Sequence, residues 1–287
     1  MYRESVLPYL AMLSGSIAFA LMSTLAHALG SSCDWQVIAL VRTGLALVFA
    51  AGLALTSGVR LVFWRPRSLW MRSLAGSMSL VCTFFALTRL PVSDVLTLTN
   101  MFPVWVALLS WPLLGERPSP LVWLSVASAA AGVVLIQQPH FAEGNFASLV
   151  ALASSVFTAV AMLGLHKLQG IDHRAVVVHF SAVSSLFCLA TFGLFDAGDA
   201  PLALPEGGGL AMLLGVGTAA TVGQLFLTRA FAAGPPARVS VVGLTQVIFA
   251  LVIDFAVLHQ PVDGRKLVGV VLVGAPAAWL MASRPTP

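Results

Sequence analysis

The feature that most constrains this chain is its repetition of long apolar runs, each of roughly 18–24 residues, from one end to the other. Glycine, proline or clusters of charged residues separate the runs. A helix needs about 20 apolar residues to cross the hydrocarbon of a bilayer, so each run is long enough to span. The predicted spans are residues 6–28, 35–57, 69–89, 92–114, 120–138, 146–167, 174–195, 209–232, 236–258 and 265–283. The sequence therefore predicts an all-α integral membrane protein with ten transmembrane helices.

Composition agrees with lipid as the solvent for most of the protein surface. Of the 287 residues, 59% are hydrophobic and only 9% are charged, against about 25% charged in a soluble domain. The mean hydropathy is +0.95. These values exclude a water-soluble enzyme, a nucleic-acid-binding domain and a disordered chain. The cysteines Cys33, Cys82 and Cys188 form no paired motif, and we interpret them as small apolar residues rather than a metal site.

The positive charges lie mainly on one side of the predicted spans. With the amino terminus inside, the cytoplasmic segments hold eleven Lys and Arg residues and the opposite segments hold three. The eleven are Arg3, Arg60, Arg65, Arg67, Arg72, Arg117, Lys167, Arg174, Arg229, Arg238 and Arg284; the three are Arg89, Arg265 and Lys266. Because short cytoplasmic segments carry an excess of Lys and Arg, both termini are predicted to be cytoplasmic.

The chain contains a weak internal repeat. A shift of 144 residues places Ala86, Pro91, Val95 and Leu114 over Ala230, Pro235, Val239 and Leu258. The repeat predicts two five-helix halves, residues 1–140 and residues 141–287. Because five is odd, the second half must be inverted in the membrane relative to the first. Inverted repeats place a shared cavity near the middle of the bilayer, which suits transport by alternating access.

Residues 84–136 resemble one family of transporters. The segment has Ala-Leu near the end of the third span, a turn with Ser-Asp, Pro103 within the fourth span, and Leu-Gly-Glu-Arg at 114–117. It is similar to EamA-type members of the drug/metabolite transporter superfamily, and within them to the YddG-type amino acid exporters. The second half departs from the pattern, because Gln260 stands where Glu116 would be. The resemblance implies the ten-helix fold and export of a small metabolite across a bacterial inner membrane.

Two charged residues stand out within the predicted spans, away from the span ends, Arg42 and Asp254. A charge in hydrocarbon is costly, so each requires a partner or a function. In one interpretation Asp254 accepts a proton or contacts a substrate ammonium group, and Arg42 holds a substrate carboxylate. In the other, the two residues neutralise each other, or each reaches the membrane interface with its side chain.

Uncharged polar residues are the remaining candidates for the cavity lining. On the fourth span, Thr97, Asn100, Met101 and Trp105 follow helical spacing, and Pro103 frees a backbone carbonyl near Asn100. The candidates from other spans are Ser23, Thr158, Gln224, Thr245 and Gln246. The alternative is that these side chains form hydrogen bonds between helices.

The leading functional hypothesis is therefore a secondary transporter, and an exporter by family resemblance, of small amphiphilic metabolites such as amino acids, aromatic ones included. Motifs typical of hydrolases, metalloproteases and nucleotide-binding loops are missing from the sequence, so no catalytic residue, metal or cofactor is expected. A carrier of a cofactor or nucleotide-like metabolite, such as S-adenosylmethionine or riboflavin, is the main alternative, and a membrane enzyme is a weaker one. The expected partners are the small-molecule substrate and membrane lipid, with the protein a monomer or weak dimer and no role for nucleic acid.

Overall fold

The computed structural model describes residues 6–30, 32–87, 89–140, 146–194, 202, 204–258 and 261–283. In these ranges the chain forms twelve α-helices and no β-strand. The helices are α1 (Leu7–Leu29), α2 (Trp35–Thr56), α3 (Arg67–Leu87), α4 (Val92–Thr99), α5 (Phe102–Leu114), α6 (Pro120–Gln137), α7 (Phe146–His166), α8 (His173–Leu194), α9 (Gly208–Ala233), α10 (Pro236–Gly243), α11 (Thr245–Leu258) and α12 (Gly264–Ala282).

The twelve helices make ten spans, because α4 with α5 and α10 with α11 each form one span in two parts. The ten spans in the described part of the chain are 18–26 residues long and apolar enough to cross a membrane. At 1.5 Å per residue they are about 27–39 Å long, which matches the hydrocarbon thickness of a bilayer. The all-α, ten-helix membrane prediction is confirmed, and the predicted ends agree to within about two residues.

The fourth span is interrupted between α4 and α5, at Asn100 and Met101. Pro103 begins α5 without a backbone N–H, so it cannot bond to the carbonyl of Thr99 as a helical residue would. The Asn100 side-chain amide donates to the Leu96 carbonyl at 2.7 Å and satisfies one of the last carbonyls of α4. The interruption thus leaves the Thr99 carbonyl without its helical donor, while the Asn100 amide caps the Leu96 carbonyl.

The ninth span is interrupted at Leu244, between α10 and α11. There the Thr245 hydroxyl donates to the Val242 carbonyl at 2.7 Å, and the Ser16 hydroxyl of α1 donates to the Gly243 carbonyl at 3.3 Å. Hydroxyl groups thus donate to backbone carbonyls at this break, as the Asn100 amide does at the other.

Helices α1–α6 pack on helices α7–α12 in reciprocal pairs. The first and third helices of each set pair crosswise, α1 with α9 and α7 with α3, while α2 packs on α8 and α6 packs on α12. The helix caps repeat as well, since Asp34 accepts the Gln36 N–H and Asp172 accepts the Arg174 N–H, both at 2.8 Å. These pairings are consistent with the predicted inverted repeat.

Helices α6 and α12 cross at two glycines, Gly132 and Gly269. A Cβ atom at Gly132 would lie 2.7 Å from the Gly269 carbonyl oxygen, and one at Gly269 would lie 2.7 Å from the Gly132 carbonyl oxygen. Nearby, the Ser128 hydroxyl donates to the Leu272 carbonyl at 3.0 Å. The crossing therefore depends on residues without side chains, as is common where membrane helices approach closely.

Candidate functional site

The two ends of the helical bundle differ. We call the end where α1, α3 and α6 finish and α2, α4 and α12 start the open face, and the opposite end the closed face. A cavity of about 1220 Å³ enters from the open face, and both groups of six helices line it. At its deep end the cavity reaches Met12, Phe102 and Gly243, so α10 lies between it and the closed face.

Seven of the sequence-predicted residues line this cavity. They are Ser23, Arg42, Asn100, Thr158, Gln224, Gln246 and Asp254. These residues come from five helices and the break at Asn100, and they meet only in the folded protein. The cavity therefore contains the two charged residues singled out in the sequence and most of the amide side chains.

The other four predicted residues, Thr97, Met101, Trp105 and Thr245, are not among those that line the cavity. The Thr97 hydroxyl is buried and donates to the Ser93 carbonyl at 2.7 Å, and Thr245 is engaged at the α10–α11 break. Met101 and Trp105 pack against the apolar core instead. The helical spacing that grouped Thr97 with Met101 and Trp105 assumes one continuous helix, and the break at Asn100 ends that register.

Arg72 is the main site residue that the sequence analysis missed. The charge count placed it with the cytoplasmic arginines near the start of a span, but its side chain is only 2% exposed and lines the cavity. Its guanidinium Nη2 donates to Gln224 Oε1 at 2.9 Å, and its Cζ lies 3.9 Å from the centre of the Phe180 ring. Arg72 thus lies within the transmembrane bundle and not in a cytoplasmic loop.

Gly76 makes room for the Arg72 guanidinium. It lies one helical turn after Arg72 on α3, and a Cβ atom there would collide with Arg72 Nη1 and with the Phe180 ring. Ser73 and His179 join the same two helices next to this point, with Ser73 Oγ 2.7 Å from His179 Nδ1. The spacing of Arg72 and Gly76, four residues apart on one face, is the sequence signal that could have identified this residue.

Arg42 and Asp254 both line the cavity, but no ion pair joins them. The ion pairs among the described residues are His166 with Glu116, His173 with Asp172, and Arg174 with Asp172. Asp254 instead accepts a hydrogen bond from the Thr24 hydroxyl at 3.2 Å. The interpretation in which Arg42 and Asp254 neutralise each other is therefore not found in the structure.

Hydroxyl groups of α3 and α7 form a polar cluster on one wall. Ser79 Oγ lies 2.6 Å from Thr158 Oγ1 and 3.0 Å from Ser154 Oγ, and Thr83 Oγ1 lies 2.7 Å from Ser154 Oγ. The cluster links the two halves of the chain and exposes Ser79, Thr83 and Thr158 to the cavity. Both readings of the polar residues apply here, since the same side chains join helices and line the cavity.

Aromatic rings and a thiol lie closer to the opening. Trp35 and Phe84 stack with ring centroids 5.7 Å apart and an interplanar angle of 18°. Cys33, in the turn before α2, also lines the cavity, and burial together with the charge of Asp34 raises the pKa of its thiol. The cavity wall therefore has an aromatic pair and a thiol near the opening and the Arg72 guanidinium at greater depth. Among the described residues, no group of three His, Cys, Asp or Glu side chains could hold a metal ion.

Comparisons with known proteins agree on a family. The EamA-like transporter family matches the chain twice, over residues 6–138 and 145–282. The pseudopaline exporter CntI of Pseudomonas aeruginosa is 27% identical over 260 residues, which cover 90% of this chain and 90% of that protein. A riboflavin transporter of Rhizobium johnstonii is 27% identical over 294 aligned positions, covering 96% of this chain and 87% of that protein. One crystal structure superposes with a TM-score of 0.83 at 19% identity, covers 96% of this chain and 97% of its own, and supports the fold alone.

Proposed function

Because the chain belongs to the EamA-like transporter family, and is therefore a membrane transporter, we propose that it exports small amphiphilic metabolites, with amino acids as the leading class. The observation that carries the proposal is the cavity itself, which is open at one face and closed by α10 at the other. This is the arrangement of one state of an alternating-access cycle. We also propose that the two family matches correspond to the halves predicted in the sequence, related by inversion.

The distribution of charge supports a cytoplasmic closed face. The described Lys and Arg residues in the turns and helix ends of that face are Arg60, Arg65, Arg67, Arg117, Lys167, Arg174, Arg229 and Arg238. The open face has Arg89, Arg265 and Lys266. Positive residues favour the cytoplasm, so the cavity would face the outside of a bacterial inner membrane and both termini would be cytoplasmic.

An amino acid fits the chemistry of the lining. Its carboxylate would meet the Arg72 guanidinium, which Gln224 and Phe180 hold in place. An apolar or aromatic side chain would lie against Phe102 and Phe180, which face the same deep end. Asp254 is a carboxylate that an ammonium group would meet on its way out, as the sequence analysis proposed.

Transport by reconstituted protein tests this proposal. Liposomes that contain the purified protein and are loaded with labelled phenylalanine, tryptophan, leucine or glutamate should release the label faster than protein-free liposomes loaded in the same way. Release that depends on a pH gradient and is lost in Asp254→Asn would support proton coupling at that residue. Glu206→Gln is the matched control, because Glu206 is an exposed carboxylate before α9. Full transport with unchanged pH dependence in Asp254→Asn would contradict the coupling role.

A flavin-sized cargo is the second candidate, because the stacked Trp35 and Phe84 offer a flat aromatic surface beside the opening. The relative named as a riboflavin transporter adds to this case. Labelled riboflavin belongs in the same liposome panel. Movement of riboflavin without any amino acid would replace the leading proposal with this one.

A further inference from the structure

Two arginines line the transport cavity without a carboxylate partner, and from them we infer that the cargo carries two acidic groups. The inference rests on the proposed function and names the charge of the substrate. None of the ion pairs among the described residues includes Arg42 or Arg72. A positive charge within a membrane protein requires a counter-charge or strong hydrogen bonds, and the cargo can supply it.

Arg72 provides the first acidic-group site, at the deep end. Its partner Gln224 is a neutral amide, and its Nε has no hydrogen-bond partner in the described structure although the atom is fully buried. A buried N–H without an acceptor is destabilising, so the site lacks an oxygen ligand that a carboxylate or phosphate would provide. The Phe180 ring and the space over Gly76 fix the guanidinium plane, which favours recognition of an oxyanion by two parallel hydrogen bonds.

Arg42 provides the second site, nearer the opening. It lies seven residues into α2, about 10 Å from the open-face end, while Gly76 beside the Arg72 guanidinium lies eleven residues, or about 16 Å, from the open-face end of α3. The two cations therefore occur at successive depths of one cavity. A molecule with acidic groups at both ends can contact them together.

The carboxylates of the lining do not satisfy these arginines. Asp34 accepts the Gln36 N–H as the cap of α2, and Asp254 accepts the Thr24 hydroxyl. The other lining cations, Arg89 and Lys266, lie at the rim, where Lys266 donates to the Pro261 carbonyl and Arg89 stacks over Phe85. The interior of the cavity thus holds two guanidinium groups without a carboxylate in contact, and a cargo with two acidic groups can contact both.

Pairs that differ by one acidic group test the inference. The liposome assay compares glutamate with glutamine, 2-aminoadipate with its side-chain amide, and O-phosphoserine with serine. The first two pairs add a carboxylate at different distances, and the third adds a phosphate. We expect at least one acidic member to be transported about 10-fold or more faster than its neutral partner, since a charge-assisted hydrogen bond is lost in the neutral form.

The variants Arg42→Gln and Arg72→Gln assign the two sites. Arg42→Gln should lower the acid-to-amide ratio to about one while transport of the neutral partner continues. Arg72→Gln should lower transport of both members, because it removes the site shared by every carboxylate. Arg265→Gln is the matched control, an exposed arginine at the open face outside the cavity lining. If Arg72→Gln does not fold, Arg72→Lys and the Arg42→Gln ratio decide the question.

The outcomes are distinct. Equal rates for the acidic and neutral members of all three pairs in the wild type, or an acid preference that persists in Arg42→Gln, would overturn the inference and leave the proposed function standing. Preference for O-phosphoserine alone would identify the second group as a phosphate, whereas preference for glutamate or 2-aminoadipate over its amide would identify a carboxylate. If the wild-type protein moves none of these molecules and none of the other amino acids, the proposed function fails as well.

Discussion

Helices α4 and α10 are the first parts of the two interrupted spans and have the same length of eight residues, yet their surroundings differ. All eight residues of α10 are buried, from Pro236 to Gly243, whereas only Asp94, Val95 and Thr97 of α4 are buried. Helix α10 packs on α1, α5, α6 and α12, and α4 packs on α3, α6 and α7. The two short helices thus differ in packing, with α10 enclosed at the closed face and α4 partly uncovered at the open face.

A pair of serines shows how the two states exchange. Ser16 on α1 donates to the Gly243 carbonyl at the end of α10, across the closed face. A shift of 139 residues, which also places His27 over His166, puts Ser155 of α7 in the position of Ser16. Ser155 donates within its own helix, to the Leu152 carbonyl at 2.6 Å. In the opposite state we expect Ser155 to donate to Thr99 at the end of α4, whose carbonyl Pro103 leaves without its helical partner.

The largest expected effect is a difference in chemical accessibility between matched positions of α4 and α10. Leu96 lines the cavity, and Ser240, which is 144 residues later, is 0% exposed. In a background without Cys33, Cys82 and Cys188, Leu96→Cys should react with a water-soluble maleimide about 100-fold faster than Ser240→Cys if the opposite state is populated at about 1%. Reaction rates by mass spectrometry measure the difference, and equal rates would contradict the assignment of the two faces.

The second-largest expected effect concerns the crossing of α6 and α12, the part of the molecule that both faces share. Gly132→Ala should destabilise the protein by about 1–3 kcal/mol. The added methyl group at the α6–α12 crossing would collide with the Gly269 carbonyl oxygen and the Val273 side chain. Thermal unfolding in detergent measures it. The control is Gly52→Ala on α2, where a Cβ atom would meet nothing within 4 Å and should stabilise the helix slightly. If the crossing serves both states equally, the labelling ratio of Leu96→Cys to Ser240→Cys stays unchanged in Gly132→Ala.

The third effect shifts the balance between the faces. Ser16→Ala removes one hydrogen bond specific to the closed face, worth about 1 kcal/mol, so labelling of Ser240→Cys should rise about 5-fold. Ser155→Ala is the matched control, because its hydroxyl bonds within its own helix in this state and its loss should not open the closed face. A larger rise in Ser240→Cys labelling with Ser155→Ala than with Ser16→Ala would contradict the prediction that the two serines exchange roles between the states.

The smallest expected effect concerns the hydrogen bonds that Asp263 accepts at the open face. The Lys266 backbone N–H and the Gln138 amide hold the pKa of Asp263 below its ordinary value of 3.8. Because the folded-state pKa is the lower one, the carboxylate contributes stability above its ordinary pKa, and this is lost as pH falls through the depressed value. Melting curves between pH 5 and pH 3 should show a slightly steeper loss for the wild type than for Asp263→Asn. Identical slopes would show that these hydrogen bonds contribute nothing measurable to stability.

The spans were predictable and the interior of the cavity was predictable only in part. Span lengths follow from the bilayer, which acts on every residue of a run in the same way. The register of α5 was not predictable in the same way, because Asn100 and Pro103 break the fourth span. The break rotates Met101 and Trp105 into the core. Arg72 was missed because a cation five residues into a span resembles one that reaches the interface. Its inward direction depends on Gln224 and Phe180, which are more than 100 residues away in sequence.

The reciprocal contact of Gly132 and Gly269 limits how the two copies of the repeat can diverge. A side chain at either glycine would meet the carbonyl oxygen of the other, so main chain is among the atoms that block it. A larger residue at one position therefore cannot be compensated by a smaller one at the other, since glycine is already the smallest residue and the backbone cannot be trimmed. However far the rest of the two halves drift apart, these two positions are bound to the same choice of residue.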